Sequence, residues 1–360
     1  MKKRELSRKK EVDKLEDKKI LNFLGFFLSL YFFLFSLVLI KFSFSEIGNY
    51  ILKITGNNIS EINALGFGWL LALMVQSSGA ATSTLAALNY AGIIGAGILI
   101  YMVLGTRIGT TITTLFVALL VSAKRRDFRH GFEIGLANLV YAFPIVVLMF
   151  FLEYFFSLFS KIGNSLVVSE FSFKITFIDK ITFPLINLIK FIPEYYLALL
   201  GIIILIFSLK KMPVFMLRLW GEDNLRRKIN ACFKKKYLSF LIGFLIALLL
   251  TSTSITITLL VPLIISRLIN LKKVIPYIIG TNLGGVIDVI IGGLIVGKTA
   301  LPAIFTYVSF SIIGLFWLFN TDFMFNITKF ISKKTLHISK KRAIIFVLFF
   351  ILLALFLSFI

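Results

Sequence analysis

The sequence predicts an all-α integral membrane protein made of two inverted-topology repeats, each with a re-entrant helical hairpin and a broken helix, plus extra terminal spans. Three observations predict it. The 360 residues are 58% hydrophobic and include 40 Phe, with a mean hydropathy of +0.95, far above a soluble domain. The apolar stretches approach the roughly 20 residues that cross a bilayer, and short basic segments separate them. Finally, hydroxyl and glycine patches recur at a constant offset. Gln76-Ser77-Ser78-Gly79 precedes Gly105 by 29 residues, Thr251-Ser252-Thr253-Ser254 precedes Gly280 by 29, and the two sets lie 175 apart.

In chain order, residues 1–19 form a basic tail with nine Lys/Arg. The first span, 20–42, is too long for the core of a signal peptide and is read as retained. Repeat 1 covers 43–154, with a hairpin at 62–94, a broken span at 98–121 and a plain span at 131–154. An outer loop and a connecting span fill 155–209. Residues 210–320 hold a cytoplasmic segment, amphipathic over Met212–Tyr237, and then repeat 2: a hairpin at 237–265, a broken span at 274–296 and a span at 301–320. A basic loop and a C-terminal span complete 321–360.

Loop charge sets the orientation, because Lys and Arg stay on the cytoplasmic side. The tail, 122–130, 210–236, 266–273 and 321–342 are basic and face inward. Residues 43–61 carry Lys53 against Glu46 and Glu61 and face outward. If 62–94 crossed the bilayer fully, Lys124, Arg125, Arg126 and Arg129 would sit on the wrong side. If 237–265 did, Arg267, Lys272 and Lys273 would. Both conflicts vanish when each segment returns to its own face. The first hairpin then enters from outside and the second from inside, with three spans between them, so the repeats are inverted. Non-helical backbone at such depth is tolerated where it is buried or lines a water-filled cavity, which marks the hairpin tips as the site. The expected location is the cell membrane, multi-pass, with the N-terminus cytoplasmic.

The net charge of +22 is accounted for by these loops and by anionic lipid, so the bilayer and not a nucleic acid is the expected partner. One cysteine, Cys232, excludes an intrachain disulfide and a cysteine metal cluster. Two histidines, His130 and His337, lie in or beside basic loops. With no phosphate-cradling loop and no nucleophile–base pair, an enzyme is not expected, nor is a cofactor. Glu133, Glu153, Trp69, Trp220 and Trp317 are expected at the membrane interface.

Gln76-Ser77-Ser78, followed by Gly105-Thr106-Arg107-Ile108-Gly109-Thr110-Thr111, resembles the motif pair of the type II sodium/phosphate cotransporter family. That family carries Gln-Ser-Ser-Ser and then Gly-Ala-Asn-Ile-Gly-Thr-Thr, once in each inverted repeat. The resemblance spans Gly66 to Ala118 and Leu241 to Gly293. It implies secondary active transport of inorganic phosphate, coupled to sodium, by alternating access. The candidate substrate-binding residues are Gln76, Ser77, Ser78, Arg107, Thr110, Thr111, Ser252, Thr253, Ser254 and Asn282. The candidate sodium ligands are Gln76, Ser77, Thr113, Thr251, Ser252 and Asp288. The chemistry suits both ions: hydroxyl, amide and backbone oxygens are hard ligands for a small cation, and helix N-termini offer free N–H groups to an oxyanion.

The sequence departs from the family pattern at named places. Thr251 stands for the second glutamine, Gly79 for a serine, and Gly285 and Val286 for the paired threonines. Arg107 replaces an asparagine, and Asp288 stands at the repeat equivalent of Thr113. Ionisable residues within apolar spans are costly. Two readings stand for this pair: Arg107 clamps phosphate through its planar fork, with Asp288 neutralising it or binding sodium or a proton, or the two form a structural ion pair. Two rival functions also stand: a proton-coupled or uncoupled transporter of another oxyanion on the same scaffold, and a transport-inactive membrane scaffold or sensor. Small hydroxyl residues also let membrane helices pack closely, and that is the expected role of the isolated Ser83-Thr84. The oligomeric state is open.

Overall fold

The computed structural model describes residues 20–32, 35–36, 39, 59–90, 94–121, 125–165, 184–189, 191–220, 231–296, 298–336 and 340–360. The basic tail, most of the 43–61 loop, residues 122–124 and residues 221–230 of the amphipathic segment lie outside them. Every regular element among the described residues is helical. Five helices are long and apolar enough to cross a membrane: Ala96–Leu120, Phe128–Phe156, Leu271–Ile290, Leu301–Phe319 and Lys341–Phe359. The protein is an all-α membrane protein.

The elements of the first half are α1 (Ile20–Phe32), α2 (Glu61–Val75), α3 (Ser78–Tyr90), α4 (Ala96–Val121), α5 (Arg125–Phe156) and α6 (Leu158–Ser165). The second half holds α7 (Glu194–Trp220), α8 (Lys236–Leu250), α9 (Thr253–Thr258), α10 (Leu260–Ile265), α11 (Leu271–Gly284), α12 (Val286–Val296), α13 (Leu301–Ile313), α14 (Phe316–Phe319) and α15 (Thr321–Leu336). The final helix is α16 (Lys340–Phe359). The ends of α2, α3 and α4 at 61, 75, 78, 90, 96 and 121 reappear 175 residues later at 236, 250, 253, 265, 271 and 296.

Packing repeats at the same offset. Helix α2 lies along α4, and α8 along α11. A side-chain carbon placed at Gly105 would overlap the carbonyl oxygen of Leu65, and one at Gly280 would overlap that of Phe240. Gly109 meets the Trp69 carbonyl as Gly284 meets that of Phe244, and Gly68 meets Met102 as Gly243 meets Tyr277. Each partner is also 175 residues on. These glycines bring helix backbones into direct contact, the close approach that small residues allow in membranes. The halves also interlock. Helix α3 packs on α12 and α9 packs on α4, so each half's short arm lies on the other half's long helix.

Several expectations need correction. The span at 98–121 is not broken: α4 runs for 26 residues without interruption. Its Thr110 and Thr111 hydroxyls donate back to the carbonyls of Thr106 (3.2 Å) and Ile108 (2.8 Å), which satisfies them within the helix. In the second half Gly284-Gly285 stands there instead. Glycine costs about 1 kcal/mol relative to alanine in a helix, and a single turn residue, Gly285, separates α11 from α12; it keeps right-handed backbone (φ −69°, ψ −7°) and its N–H still donates to the Thr281 carbonyl (3.0 Å). The span at 194–209 continues to Trp220, into the region read as a cytoplasmic segment. The 321–342 basic loop contains α15, which packs on α5 and buries Met324, Thr328 and Ser332.

Other side chains read as interfacial are internal. Trp69 and Trp317 are buried, the latter donating from Nε1 to the carbonyl of Tyr141 (3.2 Å). Glu133 is buried, and it accepts from Lys329 Nζ (2.6 Å) and Ser332 Oγ (3.0 Å) on α15 and from Arg129 Nε (3.3 Å). Glu153 is also buried and caps α6 by accepting from the backbone N–H of Phe159 (2.8 Å). Sequence periodicity reported their apolar surroundings but not the partners that make their burial affordable.

Candidate functional site

The site begins with two strained residues. Gln76 ends α2 at φ 54°, ψ 23°, and Thr251 ends α8 at φ 46°, ψ 36°. The left-handed region is uncommon for non-glycine residues, and for β-branched threonine it is a true outlier. Such strain persists where surrounding structure imposes it, commonly at functional positions. After each strained residue comes a serine that caps the next helix. Ser77 Oγ accepts from Ala80 N (3.2 Å), and Ser252 Oγ accepts from Ile255 N (3.4 Å). The repeated Gln/Thr-Ser sequence therefore stops one helix and starts the next, and the first amides of a helix lack intrahelical partners.

On α4 lies Arg107, 3% exposed. Its Nη1 donates to Ser78 Oγ (3.1 Å) and its Nη2 to Asn282 Oδ1 (2.7 Å). Arg107 and Asn282 are 175 residues apart, so the arginine bonds to its own equivalent in the other half. The guanidinium carbon lies 4.1 Å from the ring centre of Tyr307 and 4.3 Å from that of Phe310. Both rings present faces to the cation, an arrangement that partly compensates its lost hydration. Ser78 Oγ also shares a hydrogen bond with the Tyr307 hydroxyl (2.7 Å). Asn282 is held in turn, its Nδ2 donating to Asn138 Oδ1 (3.1 Å) and to the Ile278 carbonyl (2.9 Å). The buried Nε of Arg107 has no protein partner.

The predicted site residues thus divide. Ser78, Arg107 and Asn282 are brought into direct contact. Gly79 lies against the Asp288 carboxylate and Gly285 against the Thr253 hydroxyl, each so closely that a side-chain carbon on the glycine would overlap it. Glycine at these two places therefore admits a polar group from the opposite element. Ser77 and Ser252 are committed to capping, and Thr110 and Thr111 bond within their own helix. Ser254 and Thr113 are buried with hydroxyls that no protein group satisfies. Gln76 and Thr113 share an open pocket of about 170 Å³ with Phe116 and Ile351, away from the bonds of Arg107. Among the described residues, no group of three or more His, Cys, Asp or Glu is placed to hold a metal ion. Sequence reading missed Tyr307, Phe310 and Asn138. A polar Asn within an apolar span was a usable signal for the last, whereas nothing distinguished the two aromatics among so many.

A sequence model described as Na+/Pi-cotransporter matches residues 32–178 and again 204–357, one segment in each half. The chain belongs to the Na+/Pi-cotransporter family. That family is one of transporters and not of enzymes. Among individual relatives, the sodium-dependent phosphate transport protein 2A of Oryctolagus cuniculus is 31% identical over 110 residues, covering 29% of this chain and 17% of the relative. The 2B protein of Homo sapiens is 28% identical over 170 residues, 43% of this chain and 23% of its own length. The chain therefore matches about a fifth of the length of these curated relatives. No solved structure matches it. Within the Na+/Pi-cotransporter family pattern described above, the arginine at position 107 is this chain's own departure, and it lies at the centre of the bonded network.

Proposed function

We propose that this protein is a secondary active transporter that moves inorganic phosphate across the cell membrane with sodium by alternating access. The observation that carries the reading is Arg107: a buried cation whose two hydrogen bonds run to neutral oxygens, Ser78 at the start of α3 and Asn282 on α11. A charge held in apolar surroundings is costly unless an opposite charge joins it. An oxyanion supplies such a charge in addition to the Asp288 carboxylate at the start of α3, and the planar fork of arginine suits it. The N-terminus of α3, which begins at Ser78, adds the positive end of a helix.

The proposed architecture is two inverted repeats, 43–154 and 210–320, with hairpins α2–α3 and α8–α10 that re-enter from opposite faces and the N-terminus in the cytoplasm. Its support is the 175-residue recurrence of element ends and glycine contacts. In addition, α2 and α8 have 15 residues each. At 1.5 Å per residue that is about 22 Å, short of the bilayer's roughly 30 Å core. We assign phosphate contact to Ser78, Arg107 and Asn282, with Ser77, Thr253 and Ser254 near it. Sodium is assigned to oxygens of Gln76 with Thr113 and of Thr251 with Ser252.

The test is uptake of radiolabelled phosphate into proteoliposomes. Uptake driven by an inward sodium gradient, and absent with potassium, is the expected result. Absence of any phosphate movement by correctly inserted protein overturns the proposal. A second reading, proton coupling, is favoured by Asp288, whose carboxylate sits against Gly79 at the start of α3. Uptake driven by a pH gradient in potassium would select it.

A further inference from the structure

We infer that Arg107 is a resident cation that takes the place of one coupling sodium ion, so that this protein moves one sodium fewer per phosphate than its Arg107→Asn variant does. The inference rests on the phosphate-transport reading and adds to it the charge balance of the site.

The two halves are unequal at equivalent positions. In the first half the position is Arg107, and in the second it is Asn282. Ser78 Oγ and Asn282 Oδ1 both point at the guanidinium nitrogens, at 3.1 and 2.7 Å. Neutral hydroxyl and amide oxygens converging on one positive charge are hard donors of the kind that a sodium ion takes. Here the charge is covalently attached. The geometry is built and not incidental: Asn282 is oriented by Asn138, Ser78 by Tyr307, and the flat faces of the cation are covered by Tyr307 and Phe310.

Charge conservation gives the consequence. Loading a phosphate dianion into a low-dielectric site requires compensating positive charge. An arginine in a protein does not lose its proton, so Arg107 supplies one unit in every step and never leaves. A sodium ion in the same place would enter and leave with the substrate. The carrier that keeps Arg107 therefore moves one fewer positive charge per phosphate and depends less steeply on sodium. Two of the five guanidinium donors are used by Ser78 and Asn282, and Nε has no protein partner. The same group can therefore hold an oxygen of phosphate at its remaining edge.

The experiment measures phosphate uptake against sodium concentration, together with sodium-to-phosphate flux ratios using two isotopes, in proteoliposomes of the wild type, Arg107→Asn and Arg107→Lys. In Arg107→Asn the Hill coefficient for sodium and the flux ratio are expected to rise by about one ion, with weaker phosphate affinity. Arg107→Lys keeps the charge and is expected to keep the wild-type ratio. An unchanged ratio in an active Arg107→Asn variant overturns the inference while leaving the transport reading intact. No phosphate uptake by the wild type removes that reading itself. Should Arg107→Asn insert but not transport, equilibrium phosphate binding to purified protein decides. Wild-type binding that persists in sodium-free choline, while the variant binds only with sodium, supports the inference, and equal sodium dependence of the two overturns it.

Discussion

The first half carries its long helix α4 unbroken through Thr110-Thr111, whereas the second splits into α11 and α12 at Gly285. The surrounding glycine contacts are nevertheless the same in both. Close packing of α2 on α4 and of α8 on α11 needs only small residues at 68, 105 and 109 and their equivalents, and those are present in both halves. The polar layer has diverged. One half has an arginine and two threonines; the other has an asparagine, a glycine and a valine. Backbone contact tolerates less change than side-chain chemistry, because a Cβ that strikes a carbonyl has nowhere to go, while a polar residue can be replaced if its partners adapt. The outcome is a scaffold that repeats around a charge that does not.

The largest effect expected from breaking the scaffold is at Gly105 and Gly280. Leucine at either drives a side chain into the facing backbone, and loss of folded protein is expected for both in detergent size-exclusion chromatography. Alanine is the graded form. Overpacking costs about 1–3 kcal/mol, occasionally more, and the matched contacts predict similar melting-temperature losses for Gly105→Ala and Gly280→Ala. A loss confined to one of them would show that the halves do not pack equivalently.

Next in size is the unequal pair at the centre. Arg107→Ala removes charged hydrogen bonds worth about 1.5–3 kcal/mol each and is expected to weaken phosphate binding by about tenfold or more in isothermal titration. Asn282→Ala removes one neutral acceptor and is expected to cost less. The reverse order would place the substrate on the second half.

A third prediction concerns a device found in the first half alone. Glu133 ties α5 to α15 through Lys329 and Ser332, and the equivalent position, 308, is a valine. Glu133→Gln leaves Lys329 without its counter-charge. Breaking a fully buried pair costs about 3–5 kcal/mol, but Lys329 is partly exposed, so solvent screening reduces the expected loss to about 1–2 kcal/mol. Faster proteolysis between α14 and α16 in the variant would report it.

The smallest effect is expected at Gly285→Ala. Removing a helix glycine gains about 1 kcal/mol of propensity, while the new methyl group presses on the Thr253 hydroxyl, a side-chain end able to rotate. A stability change within about 1 kcal/mol in thermal melts is expected. A large loss would mean that the break in the second half is imposed by packing and not by its paired glycines.

Some of this was legible in the residues themselves. Composition and span length predict helices in a bilayer because the cost of an unpaired backbone group in hydrocarbon leaves few alternatives. The 175-residue echo marked the hydroxyl patches within 62–94 and 237–265 as interruptions, and helices end at Gln76 and Thr251 within them. Loop charge cannot report α15, because a basic amphipathic stretch reads alike as a solvated loop and as a helix docked on a neighbour. The break expected at 98–121 is absent, the threonines of α4 hydrogen-bonding to their own helix, and in the second half the interruption amounts to one turn residue, Gly285.

The amino-acid order by itself determined the membrane class, the repeat and the hydroxyl-bearing turns, each of which depends on residues within a few positions of one another or on a fixed offset. Only the tertiary structure decided what Arg107 faces. Its partners Ser78, Asn282, Tyr307 and Phe310 come from three helices, α3, α11 and α13, which meet α4, the nearest partner 29 residues away. Such a meeting is set by how helices pack, and no local pattern encodes it.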